Sequence, residues 1–313
     1  MARKGEVDVE LNSGAYPRAE AECFLCKERS ERIVFREAGY EAHQCDCGLL
    51  YTTPLPPPDA IDLTEDLHKK AYYDLPAALR VEFIKRYRPT GDLLEVGCGD
   101  GFFLRAAQSQ GYNVAAIEPN PERAAQVRQA LGVQVEEAYI ETSNWPPQSF
   151  DIIYHCDMLS HFPDPVYALG KMKSLLKPGG VLYFEVGLVG GLSPHWYRRM
   201  GTLRMPHHRW FYTPDALNAL LKASGLQVDR MKRFGLAPGI LLSKFGKALG
   251  RGGGATRTLS SKSSDEHRPS ESVKRQRARV ALRYRIGALL PGIGPETAFV
   301  IASPFAVGTE RSL

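Results

Sequence analysis

Along this chain, short apolar runs alternate with stretches whose apolar positions recur at helical spacing. LLEVG (93–97), VAAIE (114–118), VQVEE (133–137), FDIIYHCD (150–157) and VLYFEV (181–186) read as five buried strands. Between them FFLRAAQSQG reads as a helix closed by Gly111, a second helix opens at Pro121, and a third runs from about Pro165 to Leu176 before KPGG. TPDALNALLKASG (213–225) carries a Thr N-cap, a first-turn Pro and a closing Gly, so it is a helix. LQVDRMKRF (226–234) is a sixth strand, and ETAFVIASP (296–304) a last one, expected antiparallel to the sixth. Upstream, PAALRVEFIKRYR (76–88) predicts a helix with Leu79, Phe83, Ile84 and Tyr87 on one face. This β-α-β-α order predicts an α/β, Rossmann-like, doubly wound, mostly parallel seven-stranded sheet with an antiparallel last strand.

The parts outside that alternation divide the chain further. Residues 1–20 read as a flexible tail and 21–53 as a cysteine-bearing knuckle around a strand at 32–35. Residues 54–75 form a Pro-rich linker and lid, opened by the proline run in TTPLPPPD (52–59). The main domain spans 76–237, a basic, partly disordered insertion 238–295, and the last strand and tail 296–313. Within the insertion, 251–272 is Gly/Ser-rich and about 273–290 is a basic helix.

Charge matters because it is uneven. Of 40 Lys/Arg and 35 Asp/Glu, 12 and 3 fall between Pro238 and Leu290, leaving 28 and 32 elsewhere. The body is mildly acidic and the insertion strongly basic, and its apolar residues interleave with the basic ones. That pattern is compatible with peripheral contact to an anionic membrane. No run of 18 apolar residues occurs and the N-terminus lacks a signal-peptide core, so a cytoplasmic location is expected.

The chemistry concentrates at Leu93-Leu-Glu-Val-Gly-Cys-Gly-Asp-Gly-Phe-Phe-Leu104: strand, glycine loop, helix. Glycines let a ligand approach the backbone at the strand's C-terminal end. A dinucleotide loop of the form G-x-G-x-x-G/A is excluded, because Phe102 or Leu104 would stand at its last position. Glu95-x-Gly97-x-Gly99-x-Gly101 instead resembles motif I of class I S-adenosylmethionine (SAM) methyltransferases. Glu118, followed by Pro119, sits at the next strand tip, where a carboxylate accepts two ribose hydroxyls. The resemblance runs over 93–235 and implies SAM as cofactor. It places Glu95, Gly97, Gly99, Gly101, Glu118 and Pro119 around the ligand. Tyr139 and Ile140 fall at the adenine edge, where many relatives have Asp. His155 is placed in the site, and Tyr72 precedes the fold where relatives often have a closing Tyr.

Methyl transfer needs positioning and sometimes a base. His155, Asp157 and His161 cluster at the fourth strand's end, over which the acceptor should lie, and His161 is the candidate base because His titrates near neutrality. Methyltransferases of the ubiquinone O-methyltransferase type carry Glu-x-x-Glu-His there for a divalent metal. Asp157, Ser160 and His161 match with one carboxylate missing, a poor hard-cation site. Met205-Pro-His-His-Arg-Trp-Phe-Tyr212 resembles the His-then-aromatic segment that packs over the acceptor pocket in the broad methyltransferase group, which implies His207, His208 and Trp210 as acceptor-side candidates, at most one of the two His facing inward.

Cys23-x2-Cys26 and, 18 residues later, Cys45-x-Cys47 suit a structural tetrahedral zinc, with His43 an alternative to Cys45. The expected activity is SAM-dependent methylation of a small-molecule acceptor, on oxygen, in a biosynthetic pathway. An RNA methyltransferase is the first alternative and a non-catalytic SAM-fold scaffold the second. Aromatic residues do not interleave the basic run as stacking on nucleic acid would require, which disfavours a nucleic-acid partner without excluding it.

Overall fold

The computed structural model describes residues 22–37, 39–56, 70–199, 205, 208–235, 278, 282 and 296–305. Seven strands form the main sheet: β4 (Asp92–Val96), β5 (Asn113–Ile117), β6 (Gln134–Glu136), β7 (Phe150–Cys156), β8 (Leu176–Leu188), β10 (Leu226–Phe234) and β11 (Glu296–Pro304). Their order is β10-β11-β8-β7-β4-β5-β6. β4 to β8 pair in parallel, and β11 runs antiparallel to both β8 and β10. The expected final hairpin is therefore present, with β11 inserted between its partners. The order reverses between β4 and β7, and such a switch point opens a crevice at the strands' C-terminal ends.

Three helices open on the same device. α3 (Pro121–Leu131), α4 (Pro165–Leu175) and α6 (Pro214–Ala223) each begin with Pro after a cap. The side chains of Asn120, Asp164 and Thr213 accept from the backbone N–H of Arg123, Tyr167 and Ala216. α2 (Phe102–Ser109) starts at Gly101, whose φ of 72° is left-handed. A Cβ there would lie 3.1 Å from Val127, so glycine also lets α2 and α3 close together.

The sheet is covered on both faces. α4 and α6 pack on one face with Leu94, Val96, Ile153 and Phe184, and α1 and α2 on the other with Leu93, Ile152, Tyr154 and Tyr183. α1 (Lys70–Lys85) begins earlier than the expected position 76 and carries Pro76 inside it. Its buried stripe is Ala77, Val81 and Ile84. Tyr87, expected on the apolar face, lies beyond the helix and is 40% exposed, with Arg230 over its ring.

A second sheet has the order β1-β2-β3-β9: β1 (Ile33–Glu37), β2 (Tyr40–Gln44), β3 (Leu50–Thr53) and β9 (Trp210–Phe211). β1 was expected; β2, β3, β9 and the short α5 (Pro194–Arg199) were not. The N-terminal strands are thus closed by a two-residue strand from far along the chain, Leu50 facing Phe211 and Tyr51 facing Trp210. Trp210 stands edge-on to Phe24 at 4.8 Å and shares a core with Cys23, Cys45 and Tyr51. Among the described residues no helix is long and apolar enough to cross a membrane. The expected basic insertion lies outside the described residues save for isolated positions, as does His207.

Candidate active site

β4 delivers the glycine loop at the sheet's switch point. Gly97, Gly99 and Gly101 all have positive φ, at 74°, 52° and 72°. The Gly97 N–H donates to the Ile117 carbonyl (2.8 Å), tying the loop to β5. A Cβ on Gly97 would meet Met158 Sδ at 2.9 Å, so the loop after β7 lies directly against it.

Glu118, 3% exposed, closes the loop from the β5 tip. Its Oε2 accepts from the Gly99 N–H (2.8 Å) and its Oε1 from the Asn120 N–H (3.0 Å). A carboxylate has about four lone-pair sites, so two remain for hydroxyl donors. Pro119 follows in the turn to α3.

Glu95 faces α1. Its Oε2 is buried with no hydrogen-bond partner among the described residues, and Glu95 lines a cavity of about 140 Å³ with Arg80, Gly97, Tyr154 and Cys156. Burial drives its carboxyl well above the usual range, opposed by the Arg80 guanidinium. Arg80 itself pairs with Glu185 at 2.6 Å. Arg80, Glu185 and Tyr154 escaped the sequence reading. The signal for Arg80 was a charge within the inward stripe of α1, which was read one face away. An orphaned carboxylate oxygen beside a cavity and a glycine cradle suit a ligand with a cationic amino group, as SAM has.

The other expected residues separate. Ile140 is buried in the core in a short 3₁₀ turn, whereas Tyr139 is 58% exposed. Tyr72 lies in α1, but its side chain is outside the described residues. His155, expected in the site, is fully buried, stacked on Phe184 at 5.0 Å and edge-on to Phe162 at 6.1 Å. β7 alternates, so His155 faces the α4 and α6 side while Tyr154 faces the cavity. Among the described residues neither ring nitrogen has a partner, and burial lowers its pKa from 6.5 to about 3.

Asp157 follows β7 at φ 57°, a left-handed conformation rare for a non-glycine residue and common at functional turns. Its Oδ1 accepts from the Gly187 N–H at 3.1 Å. His161 and His208 meet edge to face, their rings 5.0 Å apart, although 47 positions separate them. Backbone bonds fix that meeting. The Arg209 N–H donates to the Ser160 carbonyl (2.8 Å), the Trp210 indole N–H to the Phe162 carbonyl (2.8 Å), and the Thr52 hydroxyl to the His208 carbonyl (2.9 Å).

The four N-terminal cysteines converge, with every Sγ within 4.8 Å of the others. Cys23 and Cys47 lie 3.4 Å apart, Cys26 and Cys45 3.2 Å, without a disulfide. Four thiolates around one zinc at ~2.3 Å stand about 3.8 Å apart, within that spread. Burial pushes the Cys45 thiol up to about 11, so a thiolate at that position calls for a compensating cation. His43 is committed elsewhere: Nδ1 lies 2.6 Å from the Ser30 carbonyl, and the ring stacks on Tyr51.

The sequence model of the family described as methyltransferase domain matches residues 67–230. Among curated proteins the chain is 31% identical over 169 residues to the ubiquinone biosynthesis O-methyltransferase of Xanthomonas axonopodis pv. citri (strain 306), covering 48% of this chain and 70% of that protein. The protein of that name from Xanthomonas euvesicatoria pv. vesicatoria (strain 85-10) is 31% identical over 153 residues, 44% of this chain and 63% of that one. The one from Xylella fastidiosa (strain 9a5c) is 30% identical over 169 residues, 48% and 68%. The match thus spans about two thirds of these relatives' length. Among solved structures, the YcgJ protein from Bacillus subtilis is similar at 15% identity and a TM-score of 0.45, over 72% of this chain and 97% of that one.

Proposed function

The chain belongs to the methyltransferase-domain family and is a SAM-dependent methyltransferase, and from that premise we propose that it methylates a hydroxyl oxygen of a small biosynthetic metabolite. The observation that carries the reading is the glycine loop tied to Glu118, with the His161–His208 pair beyond the end of β7. The relatives named as O-methyltransferases of ubiquinone biosynthesis favour an oxygen acceptor.

SAM supplies an electrophilic methyl group on its sulfonium. The residues would share the remaining work. Glu118 accepts from the ribose hydroxyls while holding the Gly99 N–H, so ligand and loop are fixed together. Glu95, its oxygen orphaned in the cavity, takes the amino end. His161 would accept the acceptor hydroxyl's proton as its oxygen takes the methyl group, with His208 against the His161 ring to hold it. S-adenosylhomocysteine and a methyl ether leave. The four cysteines would hold a structural zinc, which keeps β3 in place to pair with β9.

The test is transfer from methyl-labelled SAM to catechol, to an aniline and to an activated-methylene acceptor. The expected result is one labelled methyl ether per S-adenosylhomocysteine formed, from catechol alone. Transfer to the nitrogen or carbon acceptor instead would refute the oxygen assignment.

A further inference from the structure

Arg209 is 5% exposed, yet among the described residues its guanidinium has no hydrogen-bonding or ionic partner, and its Nε is buried without one. Burial lowers its pKa and no neighbouring carboxylate opposes that. Guanidinium remains charged in proteins, so this is a buried cation without a counter-charge, an arrangement a fold pays for unless something else supplies the anion.

Its backbone is fixed on both sides. The N–H of Arg209 donates to the Ser160 carbonyl and its carbonyl accepts from the Thr52 N–H (2.9 Å). The next residue, Trp210, is anchored to Phe162, and the preceding one, His208, stands against His161. The Arg209 backbone is therefore held beside the segment we assign to the acceptor. A planar guanidinium fork matches the two oxygens of a carboxylate or phosphate, and such charge-assisted bidentate pairs are among the strong ones.

We propose that Arg209 anchors an oxyanion, a carboxylate or phosphate, carried by the acceptor, so that the substrate is an anionic hydroxylated molecule. This rests on the reading above that the 157–162 segment faces the acceptor.

The test is calorimetric binding of benzoate, phenyl phosphate and benzamide to the full, zinc-loaded protein saturated with S-adenosylhomocysteine. We expect at least one of the two anions to bind tenfold or more tightly than benzamide; whichever does distinguishes carboxylate from phosphate. Arg209→Gln should abolish the difference and Arg209→Lys retain part of it, both with S-adenosylhomocysteine affinity within about twofold of the parent. Equal binding of all three probes, no binding of any, or an intact difference in Arg209→Gln would overturn the proposal. Should Arg209→Gln fail to bind S-adenosylhomocysteine, the arginine side-chain NMR signals of the unaltered protein decide: one must shift with an anion and not with benzamide. Anion discrimination without methylation of any hydroxyl would keep this site and sink the oxygen-acceptor reading. Methylation of catechol and 3,4-dihydroxybenzoate at equal efficiency, indifferent to Arg209→Gln, would do the reverse.

Discussion

His155→Leu should make the protein markedly less sensitive to acid. The imidazole is fully buried against Phe184 and Phe162 with both nitrogens unbonded. Burial depresses its pKa from 6.5 to about 3. The sign follows from linkage: between those values only the unfolded chain takes up the proton, so stability is present above about pH 6.5 and is lost as pH falls towards 3. At about pH 5 the loss is roughly 2 kcal/mol, from 1.5 pH units at ~1.4 kcal/mol each. Leucine does not titrate and leaves no buried nitrogen unpaired, a further gain of order 1 kcal/mol, partly offset by imperfect packing. Guanidinium unfolding of parent and variant at about pH 8 and pH 5 separates these effects, because every other group cancels in the difference. The variant's advantage should widen by ~2 kcal/mol at the lower pH. An advantage equal at both pH values to within ~0.5 kcal/mol would refute a neutral, buried His155. So would a large loss of S-adenosylhomocysteine affinity, which would return the residue to the ligand site.

Glu118→Ala removes the acceptor of the Gly99 N–H and should weaken S-adenosylhomocysteine binding by about 1.5–3 kcal/mol; unchanged calorimetry would dismiss its role. His161→Ala should leave that affinity intact and cut turnover by roughly 10²–10⁴-fold. Unchanged turnover would pass the role to His208. Protein purified without added metal should carry about one zinc per chain by elemental analysis, as four thiolates fill one tetrahedral site. Its retention after Cys23→Ser with Cys26→Ser would contradict the assignment.

Much of the main sheet was legible because each parallel strand is a short apolar run and each crossover helix announces its start. Asn120-Pro121, Asp164-Pro165 and Thr213-Pro214 place a cap before a fixed φ, and those are local effects. The Gly97–Gly99–Gly101 loop and Glu118 were legible for the same reason: tight turning at a strand tip is written in adjacent residues. Local pattern fails where contacts are long-range. β7 is covered on both faces, so its sequence has no polar side to mark, and only packing turned His155 inward and Tyr154 towards the cavity. The α1 stripe was misplaced because Pro76 looked like a first turn, whereas six residues precede it in the helix. β9 is two residues long and carries no periodicity, yet its pairing with β3 brings His208 and Arg209 to Ser160 and His161. The sequence by itself determined the scaffold and the glycine loop, which local backbone preference encodes. Which side chains stand opposite the loop was decided by burial of Trp210 against the cysteine module, a free energy that exists only once distant segments meet.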